Sequence, residues 1–195
     1  MSKNTLDNLF GSKVRVKVLK YLFRNYPGDF SISELARRVQ EPLSAVTKEV
    51  KGLNDIELIV KNGKKTQQHY SLNPQFEFFQ ELRALILKAS PAEKDKMVDR
   101  ISKLGRIKLA VVSGIFLGNE AQGYASVADL FIVGDDIDRK KVGNFLRALE
   151  AEVGKEIRFG IMEKEEFDYR YDMFDRFVRV LLEGPHEKII NKIGL

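Results

Sequence analysis

Asn62-Gly63 stands between two strand-like runs, residues 57–61 and 66–72, and it follows three helical runs without a long break. Asn-Gly is the strongest short-range hairpin signal, because both residues tolerate the positive φ that a tight turn demands. The helical runs narrow the choice further. Over residues 5–26, Leu6, Leu9, Phe10, Val14, Val18, Leu19, Leu22 and Phe23 recur at helical spacing until Pro27-Gly28 stops the run, which predicts one long amphipathic helix. Phe30-Ser31-Ile32 reads as a short extended segment. Ser33 is then placed to cap a second helix with Leu35, Ala36 and Val39 inward and Arg37 and Arg38 outward. Pro42 pushes the residue before it out of helical geometry, and a third helix is expected from about residue 43 to residue 55 with Val46, Val50 and Leu53 inward. Its opposite face offers Ser44, Thr47, Lys48 and Lys51, short polar and long basic side chains that suit a helix laid in a major groove; Glu49 and Asp55 dilute its charge.

The charge distribution agrees with that placement. Residues 1–90 hold 15 basic and 9 acidic side chains, a net of +6, whereas residues 91–195 hold 18 and 19, a net of −1. Helix, short strand, helix, turn, helix and basic hairpin is the order of a winged helix-turn-helix. Residues 9–72, about a third of the chain, resemble the MarR and ArsR type of regulators, above all in Phe30-Ser31-Ile32-Ser33-Glu34-Leu35-Ala36-Arg37-Arg38-Val39 and in Leu43-Ser44-Ala45-Val46-Thr47-Lys48-Glu49-Val50-Lys51-Gly52-Leu53. The resemblance implies binding of double-stranded DNA, with the third helix on base edges and the hairpin tip on the backbone, so that Lys61, Lys64 and Lys65 meet phosphates. A winged helix devoted to protein contacts is the alternative, and Arg37 and Arg38 suit a solvated helix surface as well as a phosphate contact. His69 reads as a strand residue.

After Pro74 a further helical stretch carries Phe76, Phe78, Phe79, Leu82, Leu85, Ile86 and Leu87, an apolar face wide enough to need a partner surface. In the regulators resembled, such a helix pairs with its two-fold mate, which implies a homodimer; packing within the chain is the other use. Ala89-Ser90-Pro91 breaks the pattern and puts the expected boundary near residue 90, giving a DNA-binding domain over 1–90 and a second domain over 91–195.

The second half alternates differently. A helix is expected over 91–105, buried strands over 107–112 and 129–135, a helix over 139–153, a third strand over 156–162 and helical stretches over 163–171 and 174–182. This is a small α/β unit with a mixed sheet, so the fold class is α+β with two domains. The order resembles the minimal nucleotidyltransferase domain of the polymerase-beta-like superfamily: Gly118, Ala121, Gly123, Ser126 and Asp129 fall in register with its pattern, as do Glu165-Glu166-Phe167 and Leu182-Glu183-Gly184-Pro185. In that superfamily two or three clustered carboxylates hold paired magnesium ions. Here Asp129 matches one, but Val127 stands at the first carboxylate, Arg158 at the third, Asn119 replaces the motif serine, and Glu120 and Gln122 replace its arginines. A glutamate where triphosphate should sit repels it, so catalysis is expected to be lost, with no catalytic residue, metal or cofactor.

What remains is a vestigial nucleotide site of Gly118, Asn119, Gly123 and Asp129, whose glycine-rich backbone can still cradle a small anionic or nucleotide ligand. Asp135, Asp136 and Asp138 are expected in a strand-to-helix turn, with Asp138 capping the next helix. With no Cys and only His69 and His186, thiolate and multi-histidine metal sites are excluded. No apolar run approaches the roughly 20 residues of a membrane span, and the first residues are polar, so a soluble, cytoplasmic protein is expected. The composite expectation is a transcriptional regulator with an inactive nucleotidyltransferase-like sensor or assembly domain. An active nucleotidyltransferase recruited by its winged helix is the alternative, and a scaffold acting through protein contacts is a third reading.

Overall fold

The apolar stripe over residues 5–26 folds as two helices rather than one. α1 (Thr5–Phe10) stops at Gly11, whose φ of +67° suits glycine, and Ser12 then caps α2 (Lys13–Arg24) by accepting a hydrogen bond from Arg15 N. Leu6, Val18, Leu19 and Leu22 all enter one core, so the periodicity runs straight through the break and hides it. The computed structural model describes residues 5–63, 68–88, 94–117 and 126–195. The chain splits into two compact units, Met1–Ala89 with Ala148–Lys155, and Ser90–Arg147 with Glu156–Leu195.

In the first unit, β1 (Asp29–Phe30) leads into α3 (Ile32–Val39), capped by Ser31 rather than by the expected Ser33: the Ser31 hydroxyl accepts from Glu34 N, and Ser33 Oγ lies 3.0 Å from Ser31 Oγ. α4 (Leu43–Asp55) follows, then β2 (Ile59–Asn62) and β3 (His69–Leu72). The sheet order is β1-β3-β2, all antiparallel, with Ile59 opposite Leu72 and Asn62 opposite His69. This order of elements is that of a winged helix. Its core joins Leu35 and Val39 of α3 with Val46, Val50 and Leu53 of α4 and Tyr70 and Leu72 of β3; each fully buried leucine or valine contributes roughly 1.5–3 kcal/mol. α5 (Phe79–Lys88) closes the same core with Phe79 and Ile86, and Phe79 packs 5.6 Å from the Phe23 ring. Phe78 and Leu85 of the broad apolar face stay exposed.

The second unit includes α6 (Lys94–Ile101), which ends before the expected residue 105, and β4 (Arg106–Ser113), followed by a 3-10 turn over Gly114–Leu117. β5 (Leu130–Asp135), α7 (Arg139–Val153), β6 (Phe159–Met162), α8 (Lys164–Asp172) and α9 (Arg176–Glu183) come next, with the part of α7 from Ala148 onward counted in the first unit. A fourth strand that the periodicity does not announce, β7 (His186–Asn191), completes the sheet. The order is β6-β5-β4-β7, with β5 parallel to β6 and the other pairs antiparallel. Asp138 caps α7 as expected, accepting from Lys140 N at 2.9 Å and Lys141 N at 3.1 Å; these bonds, the Lys141 one foremost, hold its carboxyl below the usual range. Phe131, Phe167 and Phe177 pack one core face, while Tyr169, Tyr171 and Phe174 stay exposed around the α8–α9 turn. No described helix is long and apolar enough to cross a membrane.

Candidate functional site

α4 is fixed by its inner face. Val46, Glu49, Val50 and Leu53 are buried, and Glu49 is the unexpected member of that stripe. Its carboxylate accepts from Ser12 Oγ at 2.6 Å and from Arg15 Nε at 2.8 Å, both delivered by the start of α2. Burial alone would push the Glu49 carboxyl up, but the hydrogen bonds from Ser12 and Arg15 and the charge of Arg15 outweigh it and hold it below the ordinary range. Glu49 therefore does not dilute the charge of the outer face, contrary to expectation. Its charge is turned inward and compensated there. The turn ahead of α4 is pinned as well: Gln40 takes a left-handed conformation at φ 52°, and Lys17 Nζ donates to Glu41 Oε1 at 2.6 Å and to Val39 O at 3.2 Å.

With the inner face so anchored, Ser44, Thr47, Lys48 and Lys51 are all exposed together on α4, and Lys61 is exposed on β2. The Thr47 hydroxyl donates to Leu43 O at 2.7 Å, so its donor is spent within the helix. Gly63 takes a positive φ of +89° just after β2, but Asn62 belongs to the strand and pairs with His69 rather than serving as the turn residue that the Asn-Gly signal leads one to expect. Lys64 and Lys65 lie outside the described residues. His69 is a half-buried strand residue. Pro42 occupies the position before α4 with no side-chain cap, and Leu43, beside it, is 55% exposed. Sequence reasoning missed both Glu49 as a buried anchor and Leu43 as a surface residue. The signal for Glu49 was its place three residues after Val46 on an apolar stripe.

In the second unit Asp129 is the centre of a closed polar cluster. Its side chain is only 5% exposed, and Arg158 grips it with Nε at 2.9 Å from Oδ2 and Nη2 at 2.8 Å from Oδ1. Arg158 N adds a third donor at 3.0 Å and Ile115 N a fourth at 3.3 Å. The grip is tied to the sheet, since Arg158 O accepts from Asp129 N and Leu130 N. Arg158 Nη1 also donates to Ser126 O at 2.6 Å, and Ser113 and Ser126 share a 2.8 Å hydrogen bond above Ala128 O. A divalent ion needs carboxylate oxygens with free lone pairs and usually more than one carboxylate. Both oxygens of Asp129 already accept from a guanidinium, so the described residues do not fit a magnesium pair.

Gly118, Asn119 and Gly123, the other members of the expected vestigial site, lie outside the described residues, as do Glu120, Ala121 and Gln122. A separate groove of about 560 Å³ lies between the start of α7 and the β6–α8 corner, lined by Ile137, Val142, Leu146, Phe159 and Ile161 with Arg139, Glu163 and Glu166 at polar points. Asp129 does not line it.

A family model described as EarA-like matches residues 6–56. No curated protein gives a significant match to the sequence. Similar solved structures include reduced HlyU from Vibrio cholerae, at 22% identity over 42% of this chain and 77% of that one with a TM-score of 0.32. The adhesin competence repressor AdcR from Streptococcus pyogenes matches at 16% identity over 51% and 78%, TM-score 0.34. A MarR family protein from Bacillus stearothermophilus matches at 18% identity over 47% and 70%, TM-score 0.31. Each likeness covers about half of this chain.

Proposed function

We propose that the protein is a transcriptional regulator that binds double-stranded DNA through its winged helix. α4 lies in the major groove with Ser44 and Thr47 toward base edges, and Lys48, Lys51, Lys61, Lys64 and Lys65 neutralise phosphates on either side. The observation that carries this reading is the outer face of α4, where every charged side chain between Leu43 and Gly52 that remains exposed is a lysine, because Glu49 is withdrawn to Ser12 and Arg15. Residues 1–90 are the DNA-binding domain and residues 91–195 a nucleotidyltransferase-like domain that no longer catalyses and instead senses or assembles. The Arg158 grip on Asp129 supports the loss of catalysis and weighs against an active nucleotidyltransferase. The exposed Phe78, just before α5, and Leu85, within it, support a homodimer, and where the second domain senses rather than assembles, a small anionic or nucleotide ligand is its effector.

Titration of the full chain onto a fluorescent duplex over a series of salt concentrations tests the reading. Each phosphate contact contributes a slope of about −0.9 in log K against log salt, so replacing Lys64 and Lys65 by Ala should flatten the slope by about two and weaken all sequences alike. An unchanged slope in that double variant would remove the wing from the DNA.

A further inference from the structure

The start of α4 carries neither the planar guanidinium of Arg nor the amide of Asn or Gln, and Lys48 and Lys51 are its only side chains that could donate twice to a guanine. The helix contains no Arg or Gln, and its one Asn, Asn54, sits in the last turn. Arg on guanine and Asn or Gln on adenine supply most direct hydrogen-bond readout in the major groove. What the first turns of α4 offer instead is apolar. Leu43 opens the helix at 55% exposure, outside the core that takes Val46, Val50 and Leu53. Thr47, one turn on, spends its hydroxyl proton on Leu43 O at 2.7 Å, leaving a methyl group and acceptor lone pairs. Ser44 and Lys48 flank the pair, both exposed, so the apolar spot sits inside a cationic, polar surface.

Thymine is the one base that presents a methyl group in the major groove. Resting on the DNA-binding reading above, we propose that Leu43 and the Thr47 methyl form an apolar reader of thymine methyl groups, and that thymines, more than guanines or adenines, place the protein on its site. Leu43 is then a specificity-determining residue, and its exposure in the free protein is the surface that the methyl group covers.

The test uses the duplex that the full chain selects from a randomised library, made once with thymidine and once with deoxyuridine, which removes only the methyl groups. Wild-type protein should bind the deoxyuridine duplex about fourfold more weakly for each contacted methyl, the factor that corresponds to one buried apolar carbon. Leu43→Ala, whose folding is checked by circular dichroism, should bind the thymidine duplex more weakly and lose most of the difference between the two duplexes. Equal binding of both duplexes by the wild-type protein overturns the inference and leaves DNA binding standing. A methyl effect that survives intact in Leu43→Ala also overturns it. Failure of the wild-type chain to select any duplex overturns the DNA-binding reading and this inference with it.

Discussion

Replacing Arg158 by Ala removes two charge-assisted hydrogen bonds from Asp129 and one from Ser126 O, but leaves the donors from the residue 158 backbone and from Ile115 in place. A hydrogen bond to a charged group contributes about 1.5–3 kcal/mol when buried. Asp129 is buried, but the Arg158 side chain is 57% exposed, so solvent screening brings each bond to the low end of that range. The expected loss is about 2–3 kcal/mol, short of the 3–5 kcal/mol that follows when a fully buried pair loses one partner. The chain has no Trp and six Tyr, so urea unfolding is followed by tyrosine fluorescence and far-ultraviolet circular dichroism. A urea dependence of about 1–3 kcal/mol per molar turns that loss into a midpoint shift of about 0.7–3 M for the second unit. Asp129→Asn and the double variant complete a cycle, and the coupling between the two side chains should exceed about 1 kcal/mol. A loss below about 0.5 kcal/mol, with no coupling, would refute the view that Arg158 closes this site.

Three further outcomes follow from the same geometry. Gly114 takes φ +52°, and a Cβ there would stand 2.3 Å from Asp129 Oδ1, so Gly114→Ala should destabilise the second unit by at least about 2 kcal/mol in the same unfolding assay. The Glu49 carboxyl is held below its ordinary range, so its contribution to stability is present above about pH 4.3 and is lost as pH falls through the lowered value; the stability gap between wild type and Glu49→Gln should therefore be widest near neutrality and close in acid. Ser44→Ala and Thr47→Ala should change which base pairs are preferred, by about 1–3 kcal/mol at the positions they face, without altering the salt slope, as measured by competition between duplexes.

The winged helix was legible because each of its boundaries has a local chemical cause. Pro42 fixes the start of α4, the Val46, Val50 and Leu53 spacing fixes its inner face, and Gly63, at positive φ, marks where β2 ends. Gly11 was overlooked because one glycine inside an intact apolar period looks like a tolerated defect, whereas it takes positive φ and lets Ser12 both cap α2 and hold Glu49. The Ser31 cap was misplaced by two residues because two serines flank Ile32, and only backbone geometry decides between them. β7 was missed because His186, Glu187 and Lys188 dilute its apolar content: it pairs at the sheet edge and buries little besides Ile190. At the candidate sites, exposure of Ser44, Thr47, Lys48 and Lys51 follows directly from helical periodicity, whereas Lys61 shares the alternation phase of buried Ile59 and is exposed all the same. The Arg15–Glu49 and Arg158–Asp129 pairs join residues 34 and 29 positions apart, and no local pattern encodes such a meeting.

On the reading proposed above, the lysine-bearing face of α4 binds duplex DNA of defined sequence. Genomic fragments recovered by the purified full chain, and recovered again with Lys48 and Lys51 both changed to Ala, measure it most directly. A recurring, roughly palindromic motif is expected with the wild-type protein, and its loss with the double variant, at unchanged stability. No enrichment with the wild-type protein, or the same motif recovered equally well by the variant, would contradict it.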